Sequence, residues 1–374
     1  LVKSEHWYEI EVVKNRSVLE GMAREWDALA EGAGVPTLSH AWILACAEAF
    51  HAQDQLFIIA LRRGGELVGL APLVESRRGC VSRLELIGVS FLYEPSGLLY
   101  RDGEALTYLA RSIMECGFPV VLARIPADSP VVSQFPSGPL ASHHGIIMKG
   151  GIGYSLMIPI SSGWTAYLEK LSSRRRYDIR RARRRAEEAG SVTVRVFCPS
   201  EEEIEPGLAE FVRIEATGWK EHHGSSLKRR KNMRLFFQRY ATLASRSGAF
   251  RFAFLDVAGT PIAAQLSAVY AGRFWVFKIG YDEAWSRCSP GWQLLAETIK
   301  YAFEHKLASY EFLGSDESWL HGWVTERRGY RAVWYYPATW RGFHGLASDV
   351  MDRIKIRMTR MMTAGRETER VASS

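Results

Sequence analysis

Residues 250–323 constrain the fold more than any other stretch, because their apolar pattern passes from alternation to helical spacing and back. Residues 251–255, 262–269 and 274–279 are rich in β-branched and aromatic side chains. Residues 257–261 and 270–273 supply turn residues between them, so three antiparallel strands are expected. A Ser289-Pro290-Gly291 step then breaks the pattern. Beyond it Trp292, Leu295, Ile299, Ala302 and Phe303 share one helical face, and residues 310–314 return to a strand that ends in glycine.

A glycine-bearing corner from strand to helix exposes unpaired backbone N–H groups at the positive end of the helix dipole, which suits a phosphate. Such a step is more often a plain turn with proline at the first helical position. The ordered set is the more specific signal. Meander, corner, helix and strand together resemble the acyl-CoA-binding half of the GNAT acyltransferase superfamily. Within it, Tyr281-Asp282, Ser289-Pro290-Gly291, Phe312-Leu313-Gly314 and Trp323 are similar to the CelD/BcsL group, which is related to the FemABX peptidyltransferases. The resemblance spans residues 164–336. That group commonly carries a Tyr-Lys pair before the last tryptophan, where this chain has Trp319-Leu320.

The same order of elements is readable earlier. Residues 56–62, the Gly64-Gly65 turn, residues 67–75 and residues 84–87 form a second meander, followed by a helix at 104–116 and a strand at 119–124. Its counterpart of the corner, Tyr93-Glu94-Pro95-Ser96-Gly97, opens no clean helix. The expected fold class is therefore α/β, with two tandem GNAT-like units of mixed, mostly antiparallel sheet. A boundary is expected near residue 150, where Gly150-Gly151-Ile152-Gly153 is turn-rich, so the units are 1–150 and 151–340. The second is the expected cofactor-binding unit. A C-terminal amphipathic helix is expected in residues 341–374, with Phe343, Leu346, Val350, Ile354, Met358 and Met361 on one stripe.

The 374 residues exceed what one core usually holds, and the formal charge of +7 favours anionic partners. Five scattered cysteines without a C-x-x-C pair argue for a reducing compartment and against a disulfide scaffold or structural zinc. No apolar run reaches about 18 residues and no signal-peptide core opens the sequence. The expected location is cytoplasmic, with peripheral contact to an anionic membrane as one use of the basic tail. Eight arginines crowd residues 172–185 on one expected helix. Beside a plain solvated face, that charge suits CoA phosphates, an anionic lipid surface or RNA. No RNA-binding signature accompanies it.

The resemblance implies transfer of an acyl group from acyl-CoA, without metal, to an amine or hydroxyl of a cell-envelope precursor, a sugar or polysaccharide unit or a lipid. A long-chain lipid amine acylated by long-chain acyl-CoA is a second form of that reading, and aminoacyl-tRNA-dependent transfer of the FemABX kind a third. Such chemistry needs oriented reactants, oxyanion donors, a base for the nucleophile and an acid for the thiolate. Ser289, Pro290, Gly291, Trp292 and Gln293 are the expected cofactor-binding corner, with Phe277 and Ile279 on the adjoining strand. For proton handling the candidates are Lys278, which alternates with apolar neighbours, Tyr281, Asp316 after the last strand, and Glu215. Trp219, Lys220, Asp282 and His321 are expected to meet the acceptor. Cys288 lacks a histidine at partner spacing, and adjacent His222 and His223 point apart, so neither a thiol nucleophile nor a metal site is expected.

Overall fold

Hairpin turns of one kind organise both ends of a single sheet. The computed structural model describes residues 8–52, 55–79, 81–135, 145–217, 227–323, 325–352 and 354–355. The earlier strands are β1 (Tyr8–Val13), β2 (Gln55–Arg63), β3 (Glu66–Arg78), β4 (Val81–Leu86), β5 (Leu99–Tyr100), β6 (Val120–Pro126) and β7 (Gly145–Lys149). The later ones are β8 (Gly153–Pro159), β9 (Val192–Phe197), β10 (Phe250–Val257), β11 (Thr260–Tyr270), β12 (Arg273–Tyr281), β13 (Ser309–Leu313) and β14 (Glu326–Pro337). Gly64-Gly65, Ala258-Gly259 and Ala271-Gly272 join successive strands with positive φ at both positions. That conformation lets a two-residue loop follow the natural strand twist.

The strands run in the order β1-β2-β3-β4-β6-β14-β8-β13-β12-β11-β10-β9, with β5 on β3 and β7 on β14. Read inward from either edge, the order of pairings repeats. β4 pairs with β6 in parallel, as β12 does with β13, and every other pairing among the described residues is antiparallel. Each parallel pair needs a crossover, supplied by the helices Gly103–Glu115 and Pro290–Glu304. The chain is thus two tandem GNAT-like units. Near the centre the halves interlock: β14, the last strand, lies between β6 and β8, and β8 pairs with β13.

One apolar cluster also crosses between halves, joining Trp26 and Trp42 to Phe211, Phe236 and Tyr240. The Trp42 ring meets Phe236 and Tyr240 edge-on at 4.8 and 4.9 Å. Those partners sit on the helix Lys231–Arg246, to which the sequence reading assigns no element. The C-terminal helix, residues 340–352, docks by a different face from the expected stripe. Gly345 is pressed on Pro119, and Asp349 bonds Arg83 at 2.8 Å and the Tyr336 hydroxyl at 2.7 Å. Phe343, Val350 and Ile354 consequently stay exposed, with Trp340 beside them, while Met358 and Met361 lie outside the described residues. No helix among the described residues is long and apolar enough to cross a membrane.

Candidate active site

Pairing between β12 and β13 covers only Arg273–Ser309, Phe274–Tyr310 and Trp275–Glu311. Past Trp275 the two strands border a cavity of about 530 Å3, a volume in the range of small-molecule sites. Two backbone irregularities keep them from closing up. On β12 the register jumps from Lys278 to Val276, leaving Phe277 as a bulge, and β13 ends with Leu313 and Gly314 both at positive φ.

The corner contributes Gly291 and Trp292 to the lining of this cavity. Ser289 sits at φ 48° before the helix, its N–H bonds Ser286 O, and its carbonyl accepts from the N–H groups of Trp292 and Gln293. Proline has no N–H, so Gly291 offers the one amide without a partner among the described residues of this turn, fewer than the sequence leads one to expect. Gly291 is tight for a side chain. A Cβ there would lie 3.1 Å from the Tyr281 ring. Next to it, Trp292 packs on the Arg175 guanidinium at 3.8 Å and on the stacked Trp323 ring at 5.5 Å, with Arg175 also 5.9 Å from Trp323.

Deeper in, Lys278 and Glu215 meet. Their 2.9 Å ion pair puts an ammonium on the cavity wall, and Leu227 N–H donates to the other Glu215 oxygen at 2.7 Å. Gly280 allows this approach, since a Cβ on it would lie 3.1 Å from that of Glu215. Phe277, Ile279 and Tyr281 complete the β12 wall.

Other expected site residues lie around the cavity rather than on its lining. Asp316 bonds His321 Nε2 at 2.5 Å and Arg327 at 2.9 Å, and the His321 hydrogen bond holds its carboxyl below the ordinary range. Asp282 caps the turn Glu283–Cys288 by accepting from Ala284 N–H at 3.0 Å. Gln293 is buried behind the corner, donating to Cys288 O at 2.7 Å and Ala182 O at 3.1 Å. Ser289 is exposed and Pro290 buried. Trp219 and Lys220, like His222 and His223, fall outside the described residues.

The arginine helix, Ser173–Glu187, runs beside the corner, with Arg185 donating to Arg287 O at 3.1 Å. Much of its charge is already engaged. Arg181, Arg183 and Arg184 pair with Asp178, Glu187 and Glu188, and Arg176 closes the preceding turn by donating to Leu171 O.

A carboxyl that the sequence reading passes over joins the lining from the first half. Glu94 accepts from Gly314 N–H at 3.2 Å. The Gly314 carbonyl accepts from Arg124 and Ser155, each at 2.8 Å, and the Arg124 guanidinium lies over Tyr93 and Tyr330. Glu94 keeps part of its surface open to the cavity, while burial pushes its carboxyl up to about 7, against the opposing Gly314 hydrogen bond and the Arg124 charge. Its local signal is the Tyr93–Gly97 run, which the sequence shows only as a corner without a helix.

Splayed strands, a corner and a following helix give residues 173–321 the layout of a GNAT-type acyltransferase domain. Residues 173–321 match the family described as acetyltransferase (GNAT) domain. Among solved structures the chain is similar in fold to FemX, at 13% identity and a TM-score of 0.58 over 87% of this chain and 96% of that one. It is also similar to the C-terminal domain of a putative lysylphosphatidylglycerol synthetase from Agrobacterium fabrum, at 9% identity and a TM-score of 0.54 over 90% and 96%. A conserved protein of unknown function from Bacteroides thetaiotaomicron shares 10% identity, with a TM-score of 0.50 over 87% and 99%. A search of the curated proteins gives no match.

Proposed function

We propose that the chain moves an acyl group from acyl-CoA to an amine of a cell-envelope precursor, a sugar or polysaccharide unit or a lipid. One observation carries this reading: one cavity between β12 and β13 is lined both by Gly291 at the corner and by the carboxyls Glu94, Glu215 and Glu317. Among the described residues Glu94, Glu215 and Glu317 line it against one cation, Lys278, which favours an acceptor arriving as an ammonium ion over a neutral hydroxyl. The diphosphate of CoA would rest at Gly291 and the helix N-terminus, with the thioester arm along Phe277 and Ile279. Apolar walls from Trp292, Leu295 and Phe312 exclude water from the reacting carbonyl.

Lys278 is paired with a carboxylate, so its role is that of a donor to the developing oxyanion. Tyr281, whose ring lies against the corner, would return a proton to the leaving thiolate. The first half is unsuited to hold a second acyl-CoA in the same way. Its helix Gly103–Glu115 is capped by the Asp102 carboxylate and has Glu104 in the first turn, whereas the first turn of Pro290–Glu304 carries no acid. Membership of the CelD/BcsL group is part of the same reading and rests on the Ser289–Gly291, Phe312–Gly314 and Trp323 matches.

A thermal-shift panel of acetyl-CoA, a long-chain acyl-CoA and aminoacyl-tRNA tests it. Either thioester at a hundredfold excess over its Kd should add about 2.7 kcal/mol of stability. A shift with aminoacyl-tRNA and none with either thioester would replace this reading by the FemABX-like one.

A further inference from the structure

Glu94 belongs to the half with the acid-capped helix, yet it lines the cavity of the other half. Gly314 fixes it there, because its N–H donates to Glu94 and its carbonyl accepts from Arg124 and Ser155. The groups facing Glu94 come from several elements: Arg124 on β6, Tyr330 on β14 and the Gly314 amide after β13. Around the rest of the cavity stand the Lys278–Glu215 pair and Glu317. Arg124 makes no ion pair with Glu94 within 4.0 Å, its Nη2 being directed to Ser155 and Gly314.

The other acidic candidates are committed elsewhere. Glu215 is engaged by Lys278 and Leu227, Glu317 accepts from the Trp319 indole, and Asp316 is held by His321 and Arg327 outside the lining.

Resting on the acyl-CoA reading, we infer that Glu94 is the general base of the transfer, so that the first half completes the active site of the second. The Glu94 carboxylate takes one proton from the acceptor ammonium. The freed nitrogen lone pair then bonds to the thioester carbonyl carbon, and the carbonyl π pair moves onto oxygen. Collapse of this adduct breaks the C–S bond, the thiolate receives the second nitrogen proton by way of the Tyr281 hydroxyl, and Glu94 releases its proton to solvent. A carboxyl titrating at about 7 is matched to this task, being both ionised and basic enough near neutrality.

The test compares wild type and Glu94→Gln with acetyl-CoA and two small acceptors, ethylamine, which is charged at neutral pH, and trifluoroethylamine, which is not. Free CoA release is the readout, after calorimetry has established acetyl-CoA binding. With ethylamine the variant should lose about 10²–10⁴-fold in kcat/KM and the acidic limb of its pH profile, while trifluoroethylamine turnover stays within about threefold. That second substrate also reports whether the variant is folded. Equal losses with both amines would make Glu94 a positioning residue, and no loss with ethylamine would remove it from the reaction. Wild type that binds acetyl-CoA but turns over neither amine also overturns the inference, whereas failure to bind acetyl-CoA at all counts against the acyl-CoA reading itself.

Discussion

Lys278→Ala is expected to destabilise the protein by about 3–5 kcal/mol, the range for removing one partner of a buried ion pair. Glu215 is 1% exposed and Lys278 17%, so the carboxylate has no bulk water to fall back on. Without the ammonium, the Glu215 carboxylate loses the cation 2.9 Å away. Adding Glu215→Gln to the same protein should restore more than half of the loss, because the buried carboxylate charge goes with it. Urea unfolding of the two variants and wild type measures this. A loss below about 1 kcal/mol for Lys278→Ala would class the contact with exposed ion pairs.

The second large effect has the opposite sign. A carboxyl that binds its proton more tightly in the folded chain stabilises folding fully below its unfolded value, and that contribution is lost as pH rises through the folded value. For Glu94 the window runs from the ordinary 4.5 to about 7. Wild type should therefore carry a penalty of about 2–3 kcal/mol at pH 8 that Glu94→Gln does not, shrinking to about 1 kcal/mol or less at pH 5. The variant is expected to unfold at higher urea than wild type at pH 8 and at nearly the same urea at pH 5. A variant less stable than wild type at pH 8 would show that the Gly314 hydrogen bond outweighs the burial of charge. Stability given up at a cavity carboxyl is the pattern of a group kept for chemistry.

Local pattern carries far in this chain, and it stops where partners are distant. Residues 250–314 are legible because alternation, two left-handed turns and a helical stripe follow one another without interruption, and the same holds for residues 55–126. The Lys231–Arg246 helix had a readable signal in Phe236, Phe237, Tyr240, Ala241 and Ala244, all buried on one side. The exchange that sets β14 between β6 and β8 had none, since both its neighbours come from before the meander of residues 250–281. At the site, Lys278 and Glu215 were each nameable as single residues. Their pairing spans 63 positions and depends on the absence of a side chain at Gly280. Glu94 is the extreme case: its own loop says nothing of catalysis, and its place is fixed by a peptide 220 residues later.

The measurement that bears most directly on the whole account is calorimetric titration of acetyl-CoA into wild type and Gly291→Asp. The new side chain would press on the Tyr281 ring and set a negative charge where the helix amide should meet the diphosphate. One site per chain in wild type, weakened about 100-fold or more in the variant, is the predicted result. Equal affinity in the two proteins would contradict it.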